Sequence, residues 1–228
     1  MNKKLISALL TMSIFLGTSS IAMAETIDNS TTTEAELTVT GEVAPAIINV
    51  EIPTTLGFKI DPFNIGKAGK VNTSVMTIEN KSNVPVEIQM SKLKGSASGD
   101  LNLVESPAEV TNEGDSKDAF LWIGQLAVTP DKNEEGKFTS VKPLGAYNEA
   151  KNKQQVVTGT EGSEVVSMGS LVEATYDEEG DYSATNAKGK MYLGILGDVR
   201  TVDGWAEEDG VEITATFTVQ PKAVGSIK

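Results

Sequence analysis

The sequence predicts an all-β protein, an antiparallel β-sandwich or jelly roll with long acidic loops and little helix. Three observations carry that prediction. Apolar residues recur at every second position in several short runs, the period of a strand with one buried face. Clusters of Gly, Asn, Asp and Pro, the residues of tight turns, separate those runs. The three-to-four-residue period of a helix is confined to one short stretch, residues 147–155, where Val156, Val157 and Gly159 oppose extension.

The chain opens on an address. Lys3 and Lys4 form a basic start, residues 5–16 are mostly apolar, and Ala22-Met23-Ala24 is a small-residue cleavage site. Residues 1–24 are therefore expected to be a secretory signal peptide, since the apolar run is shorter than the roughly 20 residues of a membrane span. The mature chain would begin at Glu25. Residues 25–36 are polar and aperiodic and read as a mobile arm, and residues 37–228 as a single β-sandwich domain. The C-terminal residues 218–228 carry no apolar tail and no sorting motif, and no Cys follows the cleavage site for lipid attachment. The mature protein is thus expected outside the cell or at its surface, with no membrane span. The preference for Lys over Arg and the many Asn residues point to an AT-rich genome and a Gram-positive host.

The strands follow in order. Leu37, Val39 and Val43 share one face, with Gly41 at the remaining position of that face. Ile48, Val50 and Ile52 alternate with Asn49 and Glu51 until Pro53 stops the run. Met76 and Ile78 lead to a turn at residues 80–83, and Val84, Val86, Ile88 and Met90 follow with strict period two, so these runs are expected to form a hairpin. Pro85 places the start of the second run at an edge or a bulge. Residues 120–128 and 190–199 are more continuously apolar, as central strands are. The clearest strand comes last: Val211, Ile213, Ala215, Phe217 and Val219 lie on one face, and Glu212, Thr214, Thr216 and Thr218 on the other.

Composition removes most chemistry. The chain has no Cys and no His, so it has no disulfide, thiol nucleophile, Ser-His-Asp triad or imidazole-based zinc site. Nineteen Lys and Arg against 32 Asp and Glu give a net charge of −13, the opposite of a nucleic-acid footprint. Arg200 is the single Arg, which removes Arg-based phosphate clamps. Paired carboxylates are the acid-base tools that remain, and with 32 acids no one pair stands out. Trp122 sits inside an apolar strand and reads as core. Trp205, beside the turn at Asp203-Gly204, reads as a plug.

Two groups of residues remain as candidates. The acidic clusters at residues 112–115, 177–181 and 207–209 offer the oxygen ligands that calcium prefers, and Asp177, Glu179 and Asp181 are the candidate calcium ligands. None has the spacing of an EF-hand, and a solvated acidic loop is the other reading. No further cofactor is expected. Leu37, Val39 and Val43 belong to a Thr-rich alternating stretch, residues 31–43, directly after the polar arm. Such a stretch forms the first strand of its own sheet or adds to the open edge of a neighbour, and these three residues are then the donor-strand candidates.

The leader, the early strand at residues 37–43, the stretch at 50–62, the runs at 77–86, and Gly204-Trp205 before the strand at 213–219 together resemble secreted β-sandwich surface proteins of Gram-positive bacteria. The similarity is to biofilm-fibre proteins of TasA/camelysin type and, more distantly, to WxL-domain surface proteins. It implies a β-sandwich architecture and a surface role. Some camelysin-type proteins are classed as metalloproteases, a property that the lack of His does not favour here.

The expected function is that of a non-enzymatic structural surface protein, a subunit of an extracellular fibre or biofilm matrix assembled by strand addition through the N-terminal segment. Its expected partners are other copies of itself or other surface proteins. The alternatives are a monomeric adhesion or polysaccharide-binding module and, last, a secreted hydrolase using two carboxylates.

Overall fold

The computed structural model describes residues 11–12, 38–39, 48–64, 70–110, 115–162, 164–176, 182–183 and 189–222. The chain divides into two units, Met1–Pro45 and Ala46–Lys228. The first holds β1 (Thr11–Met12) and β2 (Thr38–Val39), paired in parallel. The second holds the remaining elements. They are β3 (Val50–Glu51), β4 (Phe58–Ile60), β5 (Val71–Thr73), β6 (Met76–Asn80), β7 (Val86–Ser98), β8 (Leu101–Leu103), β9 (Lys117–Pro130), β10 (Phe138–Pro143), α1 (Glu149–Asn152), β11 (Val166–Leu171), β12 (Thr175–Tyr176), β13 (Tyr182–Ser183), β14 (Lys190–Val199) and β15 (Gly210–Pro221). Among the described residues α1 is the one α-helix, and it passes into a 3-10 turn at Lys153–Gln155. It forms where the sequence places a short helix, and the backbone is extended at Val156 just beyond it. No described helix is long and apolar enough to cross a membrane.

The protein is all-β, and its sheets are antiparallel apart from the β1–β2 and β8–β9 pairs. The larger sheet runs β10-β9-β14-β6-β3, with β8 beside the start of β9. The second runs β11-β7-β15. Two-stranded pairs, β4–β5 and β12–β13, complete the unit. The two larger sheets share one core. Ile78, Leu121, Ile123, Met191, Leu193 and Ile195 from the first pack in one cluster with Val86, Ile88, Met90, Met168 and Leu171 from the second. Ile88 is fully buried, so Ile88→Ala leaves a cavity and is expected to cost about 2–5 kcal/mol in chemical denaturation.

The continuous apolar run of β9 has a direct cause. Its inner face, Ala119, Leu121 and Ile123, joins the main core. Its outer face, Phe120 and Trp122, joins a second cluster with Val104 and Val156, against which Tyr147 and Leu196 pack. A strand covered on both sides needs apolar residues at every position. Trp122 is therefore core. Gly197 on β14 faces Leu121 of β9, and a Cβ there would sit 1.9 Å from the Phe120 carbonyl oxygen at a φ of +155°. Gly197→Ala must displace backbone and is expected to cost about 3 kcal/mol or more, measured by denaturant unfolding.

One expected feature is corrected. The runs at β6 and β7 do not form a hairpin: β6 pairs with β14 and β3, while β7 pairs with β15 and β11. The link of residues 81–85 crosses from one sheet to the other. The buried Asn80 side chain holds that crossing by donating to Val84 O at 3.1 Å and Val172 O at 2.7 Å, and accepts from Ser82 N at 3.0 Å. Pro85 is buried and cannot donate to a ladder, which suits a crossing better than a paired strand start.

Candidate functional site

Among the described residues, the last strand stands at the edge of its sheet. β15 pairs antiparallel with β7 along its whole length, from Gly210 opposite Ser98 to Pro221 opposite Val86. Among the described residues no strand lies on its other edge. Edge strands are usually guarded by inward charges, Lys or Pro. β15 carries one charge, Glu212, and its Pro is the last residue.

Its inner face is also incompletely covered. Val211, Ile213, Ala215, Phe217 and Val219 are half-buried, whereas Val86, Ile88, Met90 and Leu93 of the neighbouring β7 are buried. The difference corresponds to a cleft of about 770 Å³ beside β15, lined by Ile52, Leu56, Phe58, Met76, Ile195 and Phe217 among others. This cleft lies along the Val211–Phe217 part of the strand. The chain after β3, Ile52 to Phe58, forms its other wall. The site therefore combines an unpaired backbone edge with exposed apolar surface on the core side, which is the chemistry of strand addition.

A polar cluster fixes the end where β15 starts. Lys117 Nζ donates to Asp209 Oδ2 at 2.6 Å and lies 3.4 Å from Asp100 Oδ2. Asp209 also accepts from the backbone N–H groups of Ala206 at 2.8 Å and Asp100 at 2.9 Å. Beside it, Arg200 NH1 meets Asp118 Oδ2 at 3.2 Å and donates to Ser116 Oγ at 2.6 Å and Ser116 O at 3.1 Å. Asn102 Nδ2 donates to the other oxygen of Asp118 at 2.8 Å. Trp205 packs against the core and donates Nε1–H to Arg200 O at 3.2 Å, so it plugs the loop that delivers the chain to β15.

The Lys117 ammonium and the backbone donor of Ala206 pull the Asp209 carboxyl down to about 2 from an ordinary 3.8. The same contact with Asp209 raises Lys117 above its ordinary 10.5. A lowered carboxyl stabilises the fold above its unfolded value, and that contribution is lost as the pH falls from about 4 toward 2. A raised amine stabilises below 10.5, and its share is lost as the pH climbs through the raised value. Asp209→Asn is therefore expected to lower Tm by a constant amount between pH 5 and 8. The gap to the native chain should close below pH 4, as a Tm series against pH would record.

The sequence-predicted site residues fall as follows. Val39 lies on β2, where Thr38 and Val39 face Thr11 and Met12. Leu37 and Val43 lie outside the described residues, so the three are not placed together. Asp177, Glu179 and Asp181 also lie outside the described residues, between β12 and β13. Among the described residues no three acidic side chains converge as a metal site. In the acidic turn at residues 207–209, Asp209 is committed to Lys117. The sequence did not single out Lys117 or Asp118, and Arg200 stood out there only as the single Arg of the chain. Their one signal is a Lys-Asp pair set immediately before the apolar run of β9.

A second groove, about 950 Å³, lies on the outer side of the larger sheet. Trp122, Leu126, Val141, Lys142, Tyr147 and Asp198 are among its lining residues. Tyr147 packs edge-on to Phe120 at 4.8 Å and to Trp122 at 5.6 Å. Phe120 and Trp122 are buried, so the aromatic surface offered there is that of Tyr147.

Comparisons with protein-family models, with curated proteins and with solved structures return no match.

Proposed function

We propose that this chain is a secreted structural surface protein, a subunit of an extracellular fibre or matrix that assembles by strand addition. In this reading the two larger sheets form a β-sandwich open on one side, and assembly closes it. The observation that carries it is the β15 edge, unpaired among the described residues, with its inner face half-buried above a cleft of about 770 Å³. An apolar face of this kind left against water is a liability that a partner removes. Strand addition between copies is head-to-tail, and a head-to-tail contact that does not close by rotation builds an open filament. No catalytic role is assigned. Residues 1–24 act as the export signal, and the acidic surface keeps subunits soluble before assembly.

The test is electron microscopy with size-exclusion chromatography on residues 25–228 over a concentration series. Filaments or a ladder of oligomers are expected, and a monomer at every concentration overturns the reading. Repeating the series with calcium and with a chelator tests the loop of Asp177, Glu179 and Asp181. A bound ion there raises Tm with calcium concentration, and an unchanged Tm removes the metal.

The alternative is a monomeric adhesion or polysaccharide-binding module. The groove beside Tyr147 favours it, because an aromatic ring flanked by Lys142 and Asp198 is the kind of surface that meets a sugar. It predicts saturable binding to cells or polysaccharide that Tyr147→Ala reduces.

A further inference from the structure

We infer that β15 pairs antiparallel with β15 of a second copy, about a two-fold axis at Ala215, in a weak closed dimer. The contact joins the two smaller sheets into one. It goes beyond the assembly reading above, because it covers the open edge without using the N-terminal segment.

The strand is close to a palindrome. Outward from Ala215 come Thr214 and Thr216, then Ile213 and Phe217, then Glu212 and Thr218, and last Val211 and Val219. An antiparallel two-fold pairing centred on Ala215 sets each of these opposite its counterpart in the other copy. Half-buried positions then meet half-buried ones and exposed positions meet exposed ones, since the alternation is unbroken from Val211 to Gln220. The register shift in the β7–β15 ladder does not disturb this. Thr216 faces Lys92 and Phe217 faces Met90, so the extra residue, Ser91, belongs to β7 and β15 stays regular. Thr beside Thr on the outer face, and Ile beside Phe within, are favourable cross-strand neighbours. Ala215, the smallest side chain of the inner face, stands on the axis, where two identical side chains must meet.

Charge and chain chemistry fix the register. Glu212 is the one charge of β15, and the axis at Ala215 puts it opposite Thr218, with the second Glu212 about 20 Å away along the strand. That separation exceeds the roughly 8 Å screening length of physiological salt, so the two acids do not oppose pairing. An in-register parallel pairing would instead set Glu212 directly against Glu212, which is destabilising. Moving the axis to Thr214 sets Asp209, already bound to Lys117, opposite Val219. Moving it to Thr216 sets Val211 opposite Pro221, which has no N–H to give. The strength follows from size. One strand against one strand falls below the roughly 1,200 Å² of a stable interface, so the pair forms in concentrated protein and dilute subunits are monomers. A two-fold contact is closed and takes no third copy at that edge. The pair therefore holds the edge in reserve and competes with any strand that would extend a filament there.

The absence of Cys makes the pair directly testable by disulfide trapping. Thr214→Cys and Thr216→Cys are made separately in residues 25–228, both at exposed positions. The axis at Ala215 places position 214 of one copy opposite 216 of the other. Positions 214 and 214, or 216 and 216, are then diagonal neighbours about 7–8 Å apart, beyond easy disulfide reach. Under mild oxidation of concentrated protein, the mixture should form a cross-linked dimer at least about tenfold faster than either variant alone. It should exceed by the same factor the rate of Thr214→Cys with Asn133→Cys on the exposed 131–137 loop. Adding Ala215→Lys to both chains should abolish the trapping, because two ammonium groups then meet on the axis. Removing residues 25–44 should leave it unchanged. Three results overturn the inference. One is faster cross-linking of Thr214→Cys or of Thr216→Cys with itself, which moves the axis. Another is trapping that requires residues 25–44, which makes the N-terminal segment the contact. The third is no cross-link above control. Electron microscopy of the same chains keeps the two readings apart. Filaments without the trapped pair leave assembly standing and remove this contact. A trapped pair from chains that never form filaments keeps this contact and removes assembly, and the lack of both removes both.

Discussion

Deleting residues 25–44 is expected to convert filaments into monomers while leaving the remaining unit folded. The two halves of that expectation have separate grounds. Among the described residues, none of either apolar cluster precedes Val50, so the deletion leaves every described member of both clusters in place. The division of the chain also falls at Pro45, beyond the deletion. Losses confined to surface are usually within about 0.5 kcal/mol, so Tm should shift by no more than a few degrees. Under the proposed strand addition, by contrast, the deletion removes the N-terminal segment that the sequence offers as donor. A complementary variant, Ala215→Lys, keeps the donor and blocks the acceptor, because its ammonium stands in the apolar cleft with its stem along the wall. Alone it too should remain a monomer. Mixing the two variants gives the sharper result. The donor of Ala215→Lys fits the intact acceptor of the deleted chain, and growth stops there. Size-exclusion chromatography with light scattering should show a one-to-one complex and nothing larger. Filaments from either variant alone overturn the assignment, and so does a mixture that stays monomeric.

What the sequence made legible is the part of the fold governed by local periodicity. The alternation at residues 211–219 corresponds to β15, and the short helical stretch before Val156 corresponds to α1. The hairpin expected at β6 and β7 failed for a reason that periodicity does not carry. Two alternating runs joined by a turn read the same whether they pair or cross between sheets. Asn80 holds the crossing through a bond to Val172, 92 residues away, and Pro85 lacks the N–H that a paired strand start would donate. The candidate site divides in the same way. A strand rich in Thr and Val was visible at residues 211–219, but which of its edges lacks a partner is a property of sheet order. The anchor at its start was hidden for a related reason, since Asn102, Asp118, Arg200 and Asp209 come from four separate parts of the chain.

That anchor carries a large effect on stability. Arg200→Ala is expected to lower unfolding free energy by about 3–5 kcal/mol, the usual cost of removing one partner from a buried ion pair. Arg200 is 3% exposed, and the Asp118 side chain 9%. Without the guanidinium, the Asp118 carboxylate stays buried with Asn102 and Ser116 as hydrogen-bond donors and no opposing charge at 3.2 Å. Arg200→Lys should recover part of the loss and not all of it. Arg200 NH1 meets Asp118 and both oxygens of Ser116 from a planar, weakly hydrated guanidinium, whereas an ammonium is a compact, strongly hydrated point charge that costs more to bury. Denaturant titrations of both variants measure the difference, and a cost below about 1 kcal/mol for Arg200→Ala would show that the pair is dispensable. The effect should also reach assembly. Arg200 O holds Trp205, and the loop that follows delivers Gly210 to the first rung of β15. Once that loop is loosened, Val211 and Ile213 at the mouth of the cleft lose their fixed position. Filament growth by Arg200→Lys should then slow even at temperatures where the subunit remains folded. A variant that is destabilised yet polymerises at the native rate would separate the anchor from the edge it supports.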